Sequence, residues 1–200
     1  MNSIDTLPDG ALVPGTTMAD VLLERDCSSF HEACHLVRDL PYGENTRHDD
    51  LTVLFDDGQG TCLTKHGVIA ALAWELKLPV YKVMGVYGMT EEIVLGADAI
   101  LKRYDLPYIP MIHCFLQSGT SRVDLTEGNH NGKRTSIEHF IHTERVIPDI
   151  SAGDRYRIYR KVIAHLWSSS GEKLDPRTLL AARGEALALL KANAAPSATQ

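Results

Sequence analysis

The stretch D-G-Q-G-T-C-L-T-K-H, residues 57–66, joins a glycine-rich turn to the start of the strongest predicted helix in the chain. That helix is predicted over residues 62–78, where the sequence is apolar on nearly every side. A helix with this pattern usually lies in the centre of a fold rather than at its surface. We therefore expect it to be the central helix, with Cys62 in its first turn.

Cys62 directly follows the glycine turn, where the N–H groups and the positive end of the helix dipole converge. Such a position favours the thiolate form of a cysteine and offers a backbone N–H to an oxyanion. The glycines on either side of Gln59 would let a substrate backbone approach closely. Two interpretations stay open at this point: Cys62 is a reactive thiol, or it is a small buried residue like most free cysteines.

Residues 111–126 predict a β-hairpin with Ser118-Gly119 as its two-residue loop. In that register His113 stands directly opposite Asp124, with Cβ atoms about 5 Å apart. Alternation along the strand turns Cys114 to the other, apolar face, where we expect it to pack as a small hydrophobic residue. A thiol, an imidazole and a carboxylate are the three groups of a cysteine nucleophile site, although the opposed pair alone is also compatible with a structural role.

Three segments together resemble the transglutaminase-like proteins, including small uncharacterised bacterial members of that family. The run G-T-C-L-T-K-H at 60–66 resembles the nucleophile motif, and H-C-F-L at 113–116 and R-V-D-L-T at 122–126 resemble the histidine and aspartate strands. The P-Y-G run at 41–43, and Pro148 followed by a predicted helix over 154–167, also fit these members. The resemblance covers roughly residues 28–167.

The resemblance implies an α+β fold with a papain/transglutaminase-like core. In that core a buried helix carrying the nucleophilic cysteine packs on an antiparallel sheet carrying the histidine and aspartate, here with extra N- and C-terminal helices. By similarity, Cys62 is the nucleophile, His113 the general base and acid, and Asp124 the orienting carboxylate. The chain departs from the family pattern just before the histidine, where residues 110–112 read P-M-I in place of the expected P-E-A.

The activity implied by the resemblance is that of a cysteine-dependent acyl-group enzyme. It would act on an amide or thioester of a small molecule or peptide through a covalent thioester, as a hydrolase or as an amide-forming acyltransferase. The Cys62 N–H and one side chain would hold the oxyanion, with Asn45 and Gln59 as candidates. His66, one helical turn after Cys62, is predicted to have a structural or pocket-lining role. The sequence has no EF-hand-like or dense acidic loop, so we expect no calcium and no other cofactor.

The motif H-E-A-C-H at residues 31–35 is the main competitor, because it matches H-E-x-x-H. On a helix, His31 and His35 would share a face and could bind zinc, with Glu32 as the base. The sequence marks out no third ligand, and an apolar stripe explains the helix as packing, so we expect no metal. A zinc-dependent hydrolase and a non-catalytic binding module with the same fold remain the alternative functions.

The composition bounds the remaining possibilities. The chain of 200 residues, 44% of them hydrophobic, predicts one domain over 1–200, with a core over about 28–167, a C-terminal helical addition over 168–193 and a frayed tail over 194–200. A net charge of −6 argues against nucleic-acid binding. No apolar run approaches the ~18 residues of a membrane span, and residues 1–9 lack the features of a signal peptide. Four cysteines without regular spacing predict no disulfide framework, so we expect a cytoplasmic protein with reduced thiols.

Hydrophobic patterning predicts the other elements. We expect helices over about 16–25, 28–40, 91–104, 154–167 and 175–193, and a strand over 80–87. Residues 1–16 and 46–57 have no clear periodicity, and 137–145 are predicted as a short helix or an irregular segment.

Overall fold

The computed structural model describes residues 3–47, 50–169 and 175–194. Within these ranges the chain has an α+β fold with seven α-helices and a four-stranded antiparallel sheet, which confirms the predicted fold class at that level. The helices are α1 (Thr17–Leu23), α2 (Phe30–Asp39), α3 (Val53–Asp57), α4 (Cys62–Glu75), α5 (Ala97–Tyr104), α6 (Ala152–Ser169) and α7 (Pro176–Ala194). The strands are β1 (Tyr81–Met89), β2 (Ile109–Ser118), β3 (Ser121–Val123) and β4 (His142–Arg145), in the order β3-β2-β1-β4.

The described residues form two compact units. The first takes its residues from 1–84, 114–129 and 144–150, and the second from 85–113, 130–143 and 151–200. The single-domain boundaries expected from the sequence stay a prediction, and residues 195–200 of the predicted tail lie outside the described residues. None of the helices in the described ranges is long and apolar enough to cross a membrane.

Helix α4 lies in the core of the first unit, as its apolar sequence predicts. Val68, Ile69 and Leu72 are fully buried and belong to one cluster with residues of α1, α2, β2 and β3. The helix ends three residues earlier than predicted, at Glu75, because Lys77 adopts the left-handed conformation at φ 58°. The prediction that this helix is buried on nearly every side fails at its last turn, where Trp74 is 75% exposed.

Helix α2 begins at a capping box. The Ser29 hydroxyl accepts a hydrogen bond from the Glu32 N–H at 3.2 Å, and the Glu32 carboxylate accepts one from the Ser29 N–H at 3.1 Å. This reciprocal pair satisfies backbone donors that the first turn of a helix cannot satisfy internally. Glu32 therefore has a structural task at the start of α2.

A buried lysine of α4 binds the carbonyl groups at the end of α2. The Lys65 Nζ donates to the carbonyl oxygen of Arg38 at 3.0 Å and to that of Leu40, and the Asn129 side-chain amide donates to the same two oxygens at 2.6 and 2.8 Å. The last carbonyls of a helix lack partners within the helix and attract a cation. Lys65 is fully buried, and this burial lowers its pKa from 10.5 to about 8.

The hairpin forms, but the predicted register is wrong by two residues. Strands β2 and β3 pair with Leu116 opposite Val123 and Ser118 opposite Ser121, so the two-residue loop is Gly119-Thr120 rather than Ser118-Gly119. Gly119 has a φ of 53°, which fits the tight hairpin turn that requires glycine at its first loop position. The direct opposition of residues 113 and 124 belonged to the rejected register.

A shift of two residues leaves the alternation of side chains unchanged, and Cys114 is fully buried as predicted. Its neighbour His113 is also buried, with 1% of its surface exposed. The strand is therefore covered on both faces at these two residues.

The second unit has its own apolar cluster, built from residues of β1, β2, α5, α6 and α7. Helix α5 starts at residue 97 rather than 91 because the Glu91 carboxylate accepts hydrogen bonds from the N–H groups of Gly96 and Asp98 and holds the preceding turn. Helix α7 starts as predicted, with the Asp175 carboxylate accepting from the Thr178 N–H at 2.9 Å.

Three short elements escape the sequence patterns. Helix α3 has five residues within the segment predicted to be irregular, and β4 has four residues where a short helix or irregular structure was expected. A 3-10 turn at Ile4–Thr6 lies within residues 1–16, where the sequence has no clear periodicity, and Ile4 is buried in the core of the first unit.

The lowered pKa of Lys65 predicts a specific dependence of stability on pH. Between about pH 8 and 10.5 the unfolded chain holds a proton that the folded chain has released, so the free energy of unfolding should rise with pH in that window. Across this window the free energy of unfolding of the wild type should rise by roughly 1–3 kcal/mol relative to that of Lys65→Met. Below the window the difference between the two free energies should stay constant.

Urea unfolding at pH 7 to 10.5 measures this difference. Lys77→Met, which replaces an exposed lysine of the same unit, should show no such trend. Equal pH slopes for the Lys65 and Lys77 variants would contradict the assignment.

Candidate active site

Cys62 is the first residue of α4 and is 7% exposed. The N-cap residue, Thr61, has an extended backbone conformation and makes no side-chain hydrogen bond to the first turn. The positive end of the helix dipole therefore lies at the thiol, and the Thr61 hydroxyl does not cap it. This arrangement matches the environment expected for Cys62 from the sequence.

The turn before α4 is held by two side-chain amides, which are the candidate oxyanion donors. Asn45 Nδ2 donates to Asp57 Oδ2 at 3.1 Å and to the Gln59 carbonyl at 2.7 Å, and Asn45 Oδ1 accepts from the Thr64 hydroxyl at 2.7 Å. Gln59 Nε2 donates to the Glu44 carbonyl at 2.9 Å. Both amides thus have structural partners within the turn.

The glycines of this turn are explained by the chain itself. Gly58 has a φ of 63° and ends α3 in the left-handed conformation. A Cβ at Gly60 would lie 2.3 Å from Leu54 Cδ1, and the Gly60 N–H donates to the Pro41 carbonyl at 3.1 Å. The space beside Gly60 is therefore filled by the protein, so the expected close approach of a substrate backbone is wrong at Gly60. A Cβ at Gly58 would meet no atom within 4 Å, and there the expectation stays a prediction.

Asp124 lies just after the last residue of β3, and its side chain is 7% exposed. Its Oδ1 accepts from the Thr126 N–H at 2.8 Å and from the Thr126 hydroxyl at 2.7 Å. Two local donors to one oxygen fix the orientation of the carboxylate, a common turn arrangement for aspartate. The D-x-T pattern at 124–126 is a sequence signal that could have predicted it.

His66 contacts both the turn that carries Cys62 and the turn that carries Asp124. Its Nδ1 lies 2.7 Å from the Cys62 carbonyl oxygen, and its Nε2 accepts a hydrogen bond from the Leu125 N–H at 2.8 Å. The same Nε2 lies 3.4 Å from Asp124 Oδ1. His66 therefore lies close to a carboxylate that no local sequence pattern indicates.

The predicted site residues are distributed over the two units. Cys62, His66, Asp124, Asn45 and Gln59 belong to the first unit, where His66 connects the Cys62 and Asp124 turns. His113 lies on β2 and belongs to the second unit. The role of base for His113 stays a prediction.

The competing H-E-x-x-H motif has structural partners for two of its three polar side chains. His31 Nε2 lies 3.0 Å from the Leu7 carbonyl oxygen, and the Glu32 carboxylate completes the capping box with Ser29 at the start of α2. His35 is exposed. Among the described residues, no group of three or more histidine, cysteine, aspartate or glutamate side chains is arranged to hold a metal ion.

The other cysteines are buried, and none of the four cysteines forms a disulfide within the described part of the chain. Burial raises the pKa of Cys34 well above its usual range, and burial also raises the pKa of Cys27. A raised pKa leaves little thiolate at neutral pH, so these two residues should react slowly with alkylating reagents.

Comparisons with protein-family models, with curated proteins and with solved structures found no match to this chain.

Gly60→Ala should destabilise the protein, because the added Cβ meets the side chain of Leu54, which is fully buried and has little room to move. We expect a loss of roughly 1–3 kcal/mol in the free energy of unfolding, measured by urea denaturation. Gly184→Ala is the control, since a Cβ there meets no atom within 4 Å in the middle of α7. That change should stabilise by about 0.5–1 kcal/mol. An unchanged or increased stability for Gly60→Ala would contradict the close approach.

Proposed function

We propose that this chain is a cysteine-dependent acyl-group enzyme of the transglutaminase-like type, with Cys62 as its nucleophile. One observation carries the proposal: Cys62 opens a buried helix, and the ring of His66 connects its turn to the turn that holds Asp124. A nucleophile at a helix N-terminus and a carboxylate with a fixed orientation are two of the three parts that such a site needs. The papain/transglutaminase-like core is part of the proposal, supported by the packing of α4 with residues of β2 and β3 in the first unit.

In the first step, His113 takes the proton of the Cys62 thiol, and the resulting thiolate attacks the acyl carbon of an amide or thioester. A sulfur–carbon bond forms while the carbonyl oxygen takes the negative charge. The Cys62 N–H is the proposed donor to that oxygen. The bond to the leaving amine or thiol then breaks, and His113 returns the proton to the leaving group, so that an acyl-thioester on Cys62 remains.

In the second step, water or an amine attacks this thioester. His113 accepts a proton from the attacking group, the sulfur–carbon bond breaks, and the proton returns to the Cys62 sulfur. Attack by water releases an acid, whereas attack by an amine forms an amide. Asp124 orients His113 and stabilises its protonated form. The proposed substrate is a small molecule or peptide with an acyl group, in the reducing cytoplasm where a thiol stays active.

Alkylation of Cys62 by iodoacetamide tests the activated thiol. Only the thiolate reacts, so we expect labelling of Cys62 to persist well below the pH range of an ordinary thiol, while Cys27, Cys34 and Cys114 label slowly. His113→Asn should lower the rate at pH 6.5 by roughly 10- to 100-fold, because the cation that stabilises the thiolate is lost. Mass spectrometry of digested peptides gives the rate for each cysteine.

Two results of that experiment would count against the proposal. One is an ordinary pH midpoint for wild-type Cys62, and the other is equal labelling of Cys62 in the wild type and in His113→Asn. His139→Asn, a histidine variant in an exposed segment, serves as the matched control and should leave the profile unchanged.

The reaction class can be tested by trapping the acyl-enzyme. A panel of simple acyl thioesters and activated amides should give a mass increase of one acyl group on the peptide that contains Cys62. Cys62→Ser should show no thioester adduct, and Cys114→Ser should behave as the wild type. An added primary alkylamine distinguishes an acyltransferase, which yields the amide, from a hydrolase, which yields the free acid. An adduct that forms equally on Cys62→Ser would refute Cys62 as the nucleophile.

A further inference from the structure

Both ring nitrogens of His66 take part in contacts within the first unit. Nδ1 lies 2.7 Å from the Cys62 carbonyl, and Nε2 lies 2.8 Å from the Leu125 nitrogen. The ring is fully buried, and the two contacts join segments that are 59 residues apart in the chain. A buried polar ring with satisfied hydrogen bonds holds such segments firmly, because loss of either partner leaves a polar atom away from water.

The Leu125 contact determines the protonation of the ring. A backbone N–H can only donate, so Nε2 must present its lone pair to Leu125. The proton of a neutral imidazole is then on Nδ1, from which it is donated to the Cys62 carbonyl. In this tautomer Nε2 has no proton for Asp124 Oδ1 at 3.4 Å, and the carboxylate is oriented by the two Thr126 donors instead. His66 therefore acts on Asp124 through the backbone of the next residue.

We propose that His66 is a positioning residue for the acyl-group reaction: as a neutral Nδ1–H ring, it sets the distance between the Cys62 turn and the Asp124–Leu125 backbone. The inference rests on the proposed function, because the purpose of that distance is to place the orienting carboxylate relative to the nucleophile. The rigid ring suits this task, since its donor and acceptor are fixed relative to each other. This assigns His66 more than the structural or pocket-lining role expected from the sequence.

The tautomer and the Leu125 hydrogen bond can be measured without any substrate. Nitrogen NMR of the full chain should show His66 with a protonated Nδ1 and an unprotonated Nε2. The Leu125 amide should exchange slowly with solvent in the wild type and at least tenfold faster in His66→Phe, which keeps a ring of similar size but no acceptor. His66→Gln, whose carbonyl oxygen can take the place of Nε2, should retain most of the protection, and it supplies a second variant if His66→Phe fails to fold.

Alkylation of Cys62 distinguishes positioning from plain structural support. His66→Phe and His66→Asn should lower the labelling rate at pH 6.5 by about tenfold, the equivalent of one pH unit in the midpoint, while His66→Gln should come closer to the wild type. A purely structural role would lower the free energy of unfolding in all three variants without moving the midpoint. His35→Asn, which changes an exposed histidine, is the control.

The outcomes separate this inference from the proposed function. A low midpoint in the wild type that persists in His66→Phe overturns the positioning role and leaves the reactive thiol intact. An ordinary midpoint in the wild type overturns the proposed function, and the positioning role with it. A protonated Nε2, or a Leu125 amide whose exchange is the same in the wild type and in His66→Phe, overturns the assigned ring contacts whatever the reactivity of Cys62.

Discussion

The burial of helix α4 is the constraint on which the rest of the first unit depends. Polar groups around a helix with little access to water must form hydrogen bonds with other protein groups, and three buried side chains make such bonds. Lys65 donates to the end of α2, His66 joins the Cys62 carbonyl to the Leu125 amide, and Lys82 Nζ donates to the carbonyls of Leu63 at 2.8 Å and Pro148 at 2.7 Å. The contacts of Lys65 with the end of α2, of His66 with Leu125 and of Lys82 with Leu63 join α4 to segments distant in sequence. Removal of one partner would strand the other in an apolar environment, so these contacts also make the arrangement specific.

The sequence predicts best those features that depend on local chemistry. Apolar residues on nearly every side identify α4, and the side chains of Ser29 and Asp175 mark helix starts because they satisfy N–H groups a few residues away. Short elements such as α3 and β4 carry too few residues for a periodic pattern. The hairpin is predictable only in part. Its existence is clear from the sequence, but its register depends on whether Gly119 occupies the first or second loop position.

The candidate site follows the same division. Residue types and a family resemblance suffice to nominate Cys62 and Asp124, and the helix geometry around the thiol agrees with the sequence argument. The proximity of His66 to Asp124 was not predicted because it joins residues 58 positions apart, which no local pattern reports. Gly60 was misinterpreted for a related reason. In the sequence it looks like room for a ligand, but Leu54 and the Pro41 backbone lie beside it, and only the tertiary structure contains that information.

The adjacency of Lys65 and His66 explains how a short stretch can organise a site. Successive residues on an α-helix point about 100° apart, so the two side chains leave α4 in different directions and reach different segments. Lys65 fixes the end of α2, which precedes the turn that leads to Cys62, and His66 fixes the 124–125 backbone. Cys62, the proposed nucleophile, and the two side chains that locate its surroundings thus lie within five consecutive residues of one helix. Any movement of α4 would carry Cys62 and both anchors together, which preserves the relation between the thiol and the Asp124 turn.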